Sequence, residues 1–151
     1  MPVEIERKFL VKNNYPRVNG NIYRQGYFPT ENGITVRVRI AGSTSYITIK
    51  GPATGISRKE YEYSIPLADA NELLSFCTSH IEKIRYHIQH DNLVWEVDEF
   101  KAENEGLVVA EVELHRADQT ITLPSWVGEE VSSDLRYTNF ALSKNPFRFW
   151  R

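Results

Sequence analysis

At 151 residues the chain is long enough for one domain with an ordinary core, and 41% hydrophobic with 25% charged residues excludes wholesale disorder. A formal net charge of −2 gives no general attraction to phosphate backbones. This argues against a nucleic-acid-coating role and requires any anion site to be a local concentration of Lys and Arg. The single cysteine, Cys77, excludes an internal disulfide and argues against a cysteine-based zinc site. No apolar run approaches a membrane span, and the opening residues lack the apolar core of a secretion signal, so a cytoplasmic location is expected.

Period-two alternation dominates the chain. Val3–Val11 sets Glu4, Glu6 and Lys8 against Val3, Ile5 and Phe9. Ile22–Phe28 is a weaker strand with Gln25 and Tyr27 on one face. Thr35–Ile40 sets Arg37 and Arg39 against Val36, Val38 and Ile40, and Tyr46–Lys50 sets Thr48 and Lys50 against Ile47 and Ile49. Arg58–Ile65 carries Arg58, Glu60 and Glu62 opposite Tyr61, Tyr63 and Ile65. A helix follows, capped by Asp69, with Ala70, Leu73, Leu74 and Cys77 on its packing face. Lys83–Ile88 then presents Lys83, Arg85 and His87, Val94–Asp98 presents Glu96 and Asp98, and Val108–Leu114 presents Glu111 and Glu113. Turn signals such as Asn32-Gly33, Ala41-Gly42, Gly51-Pro52 and His90-Asp91-Asn92 separate the strands. Towards the end, Ser125–Val131 reads as a short helix. A second helix, capped by Ser133 or Asp134, reads through Ser143 and stops before Pro146. A mainly β (α+β) fold is expected, with about eight antiparallel strands closing a barrel around one small ligand.

Each strand has one charged and one apolar face, and two placements are open. On any single strand, charges usually face water. Across the set, however, they segregate by sign. Acids pair at i, i+2 in Glu4/Glu6, Glu60/Glu62, Glu96/Asp98 and Glu111/Glu113, and bases in Arg37/Arg39 and Lys83/Arg85. A solvated face has no reason to set like charges side by side. The alternative is an inside-out barrel whose lumen is ionic, tenable only if opposite charges, metal ions and a charged ligand neutralise one another.

The chemistry of such a lumen is specific. Alternate strand residues lie roughly 6.5–7 Å apart on one face, so Glu4 and Glu6 can each reach a metal, with Glu111 and Glu113 opposing them. Carboxylate oxygens without soft ligands select magnesium or manganese over zinc. The four histidines, at 80, 87, 90 and 115, lack ligand-like spacing and read as scattered polar residues. Lys8, Arg37, Arg39, Lys50, Arg58, Lys83 and Arg85 together match a polyanion such as tripolyphosphate better than a single phosphate. Phosphoryl transfer needs charge neutralisation, alignment and an oriented water, which this inventory can supply.

Glu4-Ile5-Glu6-Arg7-Lys8 resembles the Glu-x-Glu-x-Lys signature of the CYTH superfamily, the triphosphate tunnel metalloenzymes. The likeness continues through Arg24-Gln25-Gly26-Tyr27, Val36-Arg37-Val38-Arg39, Thr48-Ile49-Lys50 and Ser57-Arg58-Lys59-Glu60-Tyr61-Glu62. It runs on through Glu82-Lys83-Ile84-Arg85-Tyr86, Glu111-Val112-Glu113, Gly128-Glu129-Glu130-Val131 and Arg136-Tyr137-Thr138-Asn139. The resemblance implies a single CYTH domain over 1–151, an eight-stranded tunnel with an inward charged face, and a plug helix matching Asp134–Ser143. It implies metal sites at Glu4, Glu6, Glu111 and Glu113, triphosphate held by Lys8, Arg37, Arg39, Lys50, Lys83 and Arg85, and a supporting role for Glu60 and Glu62. Glu96 and Asp98 are counted with these supporting acids, and Glu4, Glu6, Lys50 and Lys83 as the catalytic set.

Family members include inorganic, thiamine and RNA triphosphatases and class IV adenylyl cyclases. The likeness is to the short bacterial members that split inorganic tripolyphosphate. The His-Phe that precedes the motif in cyclases is replaced by Met-Pro-Val. Metal-dependent hydrolysis of inorganic tripolyphosphate is therefore expected. The alternatives are hydrolysis of thiamine or nucleoside triphosphate, adenylyl cyclase activity, and a non-catalytic polyphosphate- or nucleotide-binding module. Trp126, Phe147, Phe149 and Trp150 leave room for a homodimer contact.

Overall fold

Nine strands and two short α-helices make up the computed structural model, which describes residues 3–12 and 14–150. Met1 and Pro2, which precede the first acidic motif, lie outside the described residues. In chain order the strands are β1 (Val3–Val11), β2 (Asn21–Tyr27), β3 (Thr35–Ala41), β4 (Thr44–Lys50) and β5 (Ser57–Ser64). After helix α1 (Leu67–Phe76) come β6 (Ser79–His90), β7 (Leu93–Phe100), β8 (Val108–Glu113) and β9 (Val127–Glu130), then helix α2 (Asn139–Lys144). The sheet order is β5-β4-β3-β2-β6-β7-β8-β1-β9, and a further β5–β1 pairing closes the first eight strands into an antiparallel barrel.

The eight expected barrel strands are all present. Asp91 and Asn92 both take positive φ (48° and 63°) in the two-residue turn joining β6 to β7, the primed geometry that matches the strand twist. The seam of the barrel is split. Val3–Ile5 of β1 pair with Ser57–Lys59 of β5, while Phe9 and Val11 further along β1 pair with β9 across a register shift.

Three local expectations are corrected. Ser125–Val131 is not helical: Val127–Glu130 is a strand, drawn onto the edge of β1 that β5 leaves open, with Lys12 N–H donating to Trp126 C=O at 2.8 Å. The helix read from Ser133 or Asp134 through Ser143 is split by two successive caps. Asp134 accepts from Arg136 N–H over a 3₁₀ turn at Leu135–Tyr137, and Thr138, in extended geometry, accepts from Ala141 N–H to start α2. Asp69 does not cap α1. Pro66 occupies that place and Asp69 sits in the first turn, where a negative charge suits the helix dipole.

The apolar faces point outward and are covered from outside. One cluster gathers Phe9, Trp95, Val97, Val112, Trp126 and Val127 against the wall of β1, β7 and β8. A second sets Val38, Ile40 and Ile47 beneath Ala70 and Leu74 of α1. A third fills one end of the barrel, where Leu142 of α2 packs on Tyr27, Ile81, Phe100, Leu107 and Val109. Phe147 and Trp150 stack edge-on next to this plug and Trp126 is buried, so of the four aromatics proposed for a dimer contact only Phe149 is exposed among the large hydrophobics.

A polar clasp holds the loop after β1. Glu99 accepts from Tyr15 Oη, from Arg17 Nε at 3.1 Å and from Lys101 Nζ at 2.8 Å. The Lys101 hydrogen bond first, then those from Tyr15 and Arg17, hold its carboxyl down at about 2. Because the folded value lies below the unfolded one, this contribution to stability is complete above the ordinary carboxylate range and is lost as pH falls towards 2. Melting temperature should therefore drop on acidification between pH ~4.3 and 2, and Glu99→Gln should flatten that slope. At Gly26 an added Cβ would lie 2.7 Å from Cys77 Sγ, so α1 docks on β2 only because that side chain is missing. Gly26→Ala should cost about 1–3 kcal/mol, read as a lower midpoint in urea.

Candidate active site

Charges that alternate along each strand converge on a lumen of about 220 Å³. Of the candidate residues, thirteen line it: Glu4, Glu6 and Lys8 of β1, Arg37 and Arg39 of β3, Lys50 of β4, Arg58, Glu60 and Glu62 of β5, Arg85 of β6, Glu96 of β7, and Glu111 and Glu113 of β8. Two do not. Lys83 and Asp98 have side chains 0% and 1% exposed and are buried in the barrel without lining the cavity, so Lys83 reaches no ligand directly in this arrangement. Sequence reading gave no site role to Tyr27, Thr35, Thr48, Thr138, Asn139 and Phe140, which also line the lumen, although it set Thr48 beside Lys50 on the polar face of its strand. Being uncharged, none contributed to the segregated pattern. A second cavity, about 590 Å³ and more apolar, runs between the ends of α1 and α2. It gathers no comparable set of charges.

The deepest ions neutralise one another. Arg85 donates through Nε and Nη2 to both oxygens of Asp98 (2.7 and 2.8 Å) and through Nη1 to Glu96 (3.2 Å). Lys83 Nζ donates to Asp98 at 2.6 Å. Burial alone would raise the Asp98 carboxyl, but the charges of Arg85 and Lys83 hold it below the usual range. Burial, and then Arg85 beside it, pull the Lys83 ammonium well below the ordinary lysine value. On the adjoining strands β8 and β1, Lys8 meets Glu111 at 3.3 Å and donates to Tyr137 C=O at 3.0 Å. Lys50 donates to both oxygens of Glu4 (2.9 and 3.1 Å) and lies 3.5 Å from Glu60.

Other cations are aimed at the lumen with less compensation. Arg39 makes no ion pair among the described residues. Its Nε donates to the neutral Gln25 side chain at 2.9 Å, and burial, then Arg37 and Arg85, pull its guanidinium down to about 10. Arg37 donates to Thr48 (3.2 Å) and Glu62 (3.4 Å), while its buried Nε has no acceptor among the described residues. Arg58 is oriented by the carbonyls of Gly51 (2.9 Å) and Gly33 (3.3 Å). A buried donor without a partner costs free energy that an incoming anion would recover.

The acids crowd in a complementary way. Burial, then Glu111 and Glu4, push the Glu6 carboxyl well up, while Glu111 is held well below the usual range by Lys8, Arg85 and Lys83 despite its burial. Glu60 is raised to about 7 by burial and by Glu4. Histidines stay marginal: His87 lies 3.5 Å from Glu96, and His80 Nε2 pairs with Leu74 C=O.

A charged tunnel with an outward apolar face, closed at one end by a short helix, is a distinctive construction. The CYTH domain family model matches residues 2–143. The chain belongs to the CYTH family. An inorganic triphosphatase of Acetivibrio thermocellus is 47% identical, over 98% of this chain and 97% of that protein. One of Nitrosomonas europaea is 38% identical, over 93% and 96%. The crystal structure of an inorganic triphosphatase superposes with a TM-score of 0.68 at 34% identity, covering 93% of this chain and 97% of that one. A Hippeastrum protein described as a putative adenylyl cyclase with dominant triphosphatase activity shares the fold at 12% identity, TM-score 0.57, over 77% and 80%.

CYTH triphosphatases are generally metal-dependent, and the donor set fits a hard divalent cation. Counting the lining groups at full charge, seven carboxylates against six cations leave one excess negative charge, so a polyanion needs added positive charge in this CYTH tunnel. Glu6, crowded by Glu111 and Glu4, offers with them the oxygens a cation would relieve. No group of three or more acids, histidines or cysteines converges on a single point among the described residues.

Asp98 carries two buried cations. Asp98→Asn should therefore lower stability by about 3–5 kcal/mol in urea unfolding, far more than a substitution at exposed Glu103.

Proposed function

We propose that this CYTH protein hydrolyses inorganic tripolyphosphate to pyrophosphate and phosphate, with Mg²⁺ or Mn²⁺. The observation that carries the reading is the set of cavity-lining guanidinium donors that no carboxylate accepts, on Arg39 and at the Nε of Arg37, facing carboxylates across one small lumen. At about 220 Å³ that lumen is below the roughly 300–1,000 Å³ of pockets that enclose drug-sized ligands, which favours a bare phosphate chain over an enclosed nucleotide. The curated inorganic triphosphatases at 47% and 38% identity support the same substrate.

Lys8, Arg37, Arg39, Lys50, Arg58 and Arg85 bind the phosphate oxygens and fix the chain in line. Lys50, held by Glu4, and Arg85, held by Asp98, meet charge developing on the transferred group and the leaving pyrophosphate. Glu4, Glu6, Glu111 and Glu113 would hold the divalent ion, which would supply charge neutralisation and a more acidic water. Glu60, Glu62 and Glu96 orient the cations beside them, and Lys83 acts from behind the wall through Asp98 and Asn139. The reading takes 1–151 as one domain acting in the cytoplasm. No helix among the described residues is long and apolar enough to cross a membrane.

Phosphate release should be fastest with tripolyphosphate, slower with ATP or thiamine triphosphate, dependent on Mg²⁺ or Mn²⁺, and abolished by EDTA. Glu4→Gln should lower turnover by about two orders of magnitude or more with the melting temperature preserved. Near-wild-type release from that variant, or no release from the wild-type protein with metal present, rejects the assignment.

A further inference from the structure

Two uncharged side chains tie the cationic wall to the plug. Gln25 is 1% exposed, and each of its polar positions is engaged. Its Oε1 accepts from Arg39 Nε at 2.9 Å, and its Nε2 donates to Tyr27 Oη at 3.0 Å and to Asn139 Oδ1 at 3.2 Å. Asn139, the first residue of α2, accepts a second hydrogen bond at the same oxygen from Lys83 Nζ, at 2.8 Å. Lys83 continues to Asp98, and Asp98 to Arg85. The result is one unbroken chain, Arg39–Gln25–Asn139–Lys83–Asp98–Arg85, whose two ends both line the lumen.

The polarity of the chain admits only one arrangement. Reversing the Gln25 carboxamide would set its NH₂ against Arg39 Nε–H and its oxygen against Asn139 Oδ1. Arg39 needs such a fixed partner, because Arg37 and Arg85 repel it. A carboxylate there would hold Arg39 equally well and cancel its charge. A carboxamide sets its direction and leaves the charge for the ligand.

We propose that Gln25 and Asn139 are positioning residues for the triphosphate: the paired carboxamides aim Arg39 into the lumen at full charge and register it against Arg85 through the plug helix. This rests on the reading of the lumen as a triphosphate site and assigns the roles of two neutral residues within it. Neither group contacts the reacting atoms in this scheme.

The test is calorimetric binding of tripolyphosphate, alongside metal-dependent phosphate release, for the full-length wild type and for Gln25→Leu, Gln25→Glu, Asn139→Ala and the Gln25→Leu/Asn139→Ala pair. Each single variant should weaken Kd by about tenfold, the effect of one hydrogen bond to a charged group, and raise KM similarly with kcat within about threefold. The double variant should be no weaker than the worse single one, because both cut the same chain, whereas independent losses would multiply to about 100-fold. Gln25→Glu discriminates most sharply. A packing role predicts that this near-isostere binds like wild type, whereas the relay predicts affinity at least as poor as Gln25→Leu, since the new carboxylate neutralises Arg39 and opposes Asn139 Oδ1. Should Gln25→Leu fail to fold, Gln25→Glu and Asn139→Ala decide. Wild-type affinity in Gln25→Glu, or multiplicative losses in the double variant, overturns the relay. Wild-type binding without phosphate release rejects the hydrolase reading alone, and no binding at all rejects both.

Discussion

Asp98, almost wholly buried, receives hydrogen bonds from two cations and is the point on which the ionic interior rests. Ions withdrawn from water are tolerable only when opposite charges and hydrogen bonds replace their hydration. The barrel meets that demand in layers. At depth, Asp98 with Arg85 and Lys83 is self-compensated. Nearer solvent, Lys8 with Glu111 and Lys50 with Glu4 are compensated in pairs, while Arg37 and Arg39 keep donors or charge in reserve. What holds the wall together is thus distinct from what the wall offers a ligand, although both use the same residue types.

The rest of the architecture follows from turning the barrel inside out. With Glu96 and Asp98 facing inward, Trp95 and Val97 must face outward, and something must cover them. The segment carrying Trp126 and Val127 does so on one wall, α1 on another, and α2 closes one end. The splitting of the seam belongs to the same logic. β1 cannot pair with β5 along its whole length, and the edge left over recruits β9.

Much of this was legible in the alternation of the strands. Like charges at i, i+2 pointed to a lumen, and the lumen lining contains ten of the twelve residues in those pairs. The depth of Lys83 and Asp98 was not legible, because depth depends on how the strands stagger around the barrel, and no single strand encodes that. Val127–Glu130 deceived for another reason: its strand pairing is imposed by the open edge of β1, a partner more than a hundred residues away in sequence. Gln25 and Asn139 escaped because a neutral amide leaves no charge signature, and their roles are visible only in their hydrogen-bond partners. The one sequence cue was their position inside Arg24-Gln25-Gly26-Tyr27 and Arg136-Tyr137-Thr138-Asn139.

The three apolar clusters share no buried residue, and this has a bearing on how the chain becomes folded. An ordinary barrel collapses around a greasy centre that all its strands help to build. Here the centre repels collapse until its ions are matched, so early condensation must occur on the periphery, in separate patches. Each patch joins residues distant in the chain: Trp126 to Phe9, Leu142 to Tyr27, Leu74 to Val38. Long loops must therefore close before any hydrophobic gain is collected, which is the signature of a slow folder. The ionic lumen would be the last part to become dry and ordered.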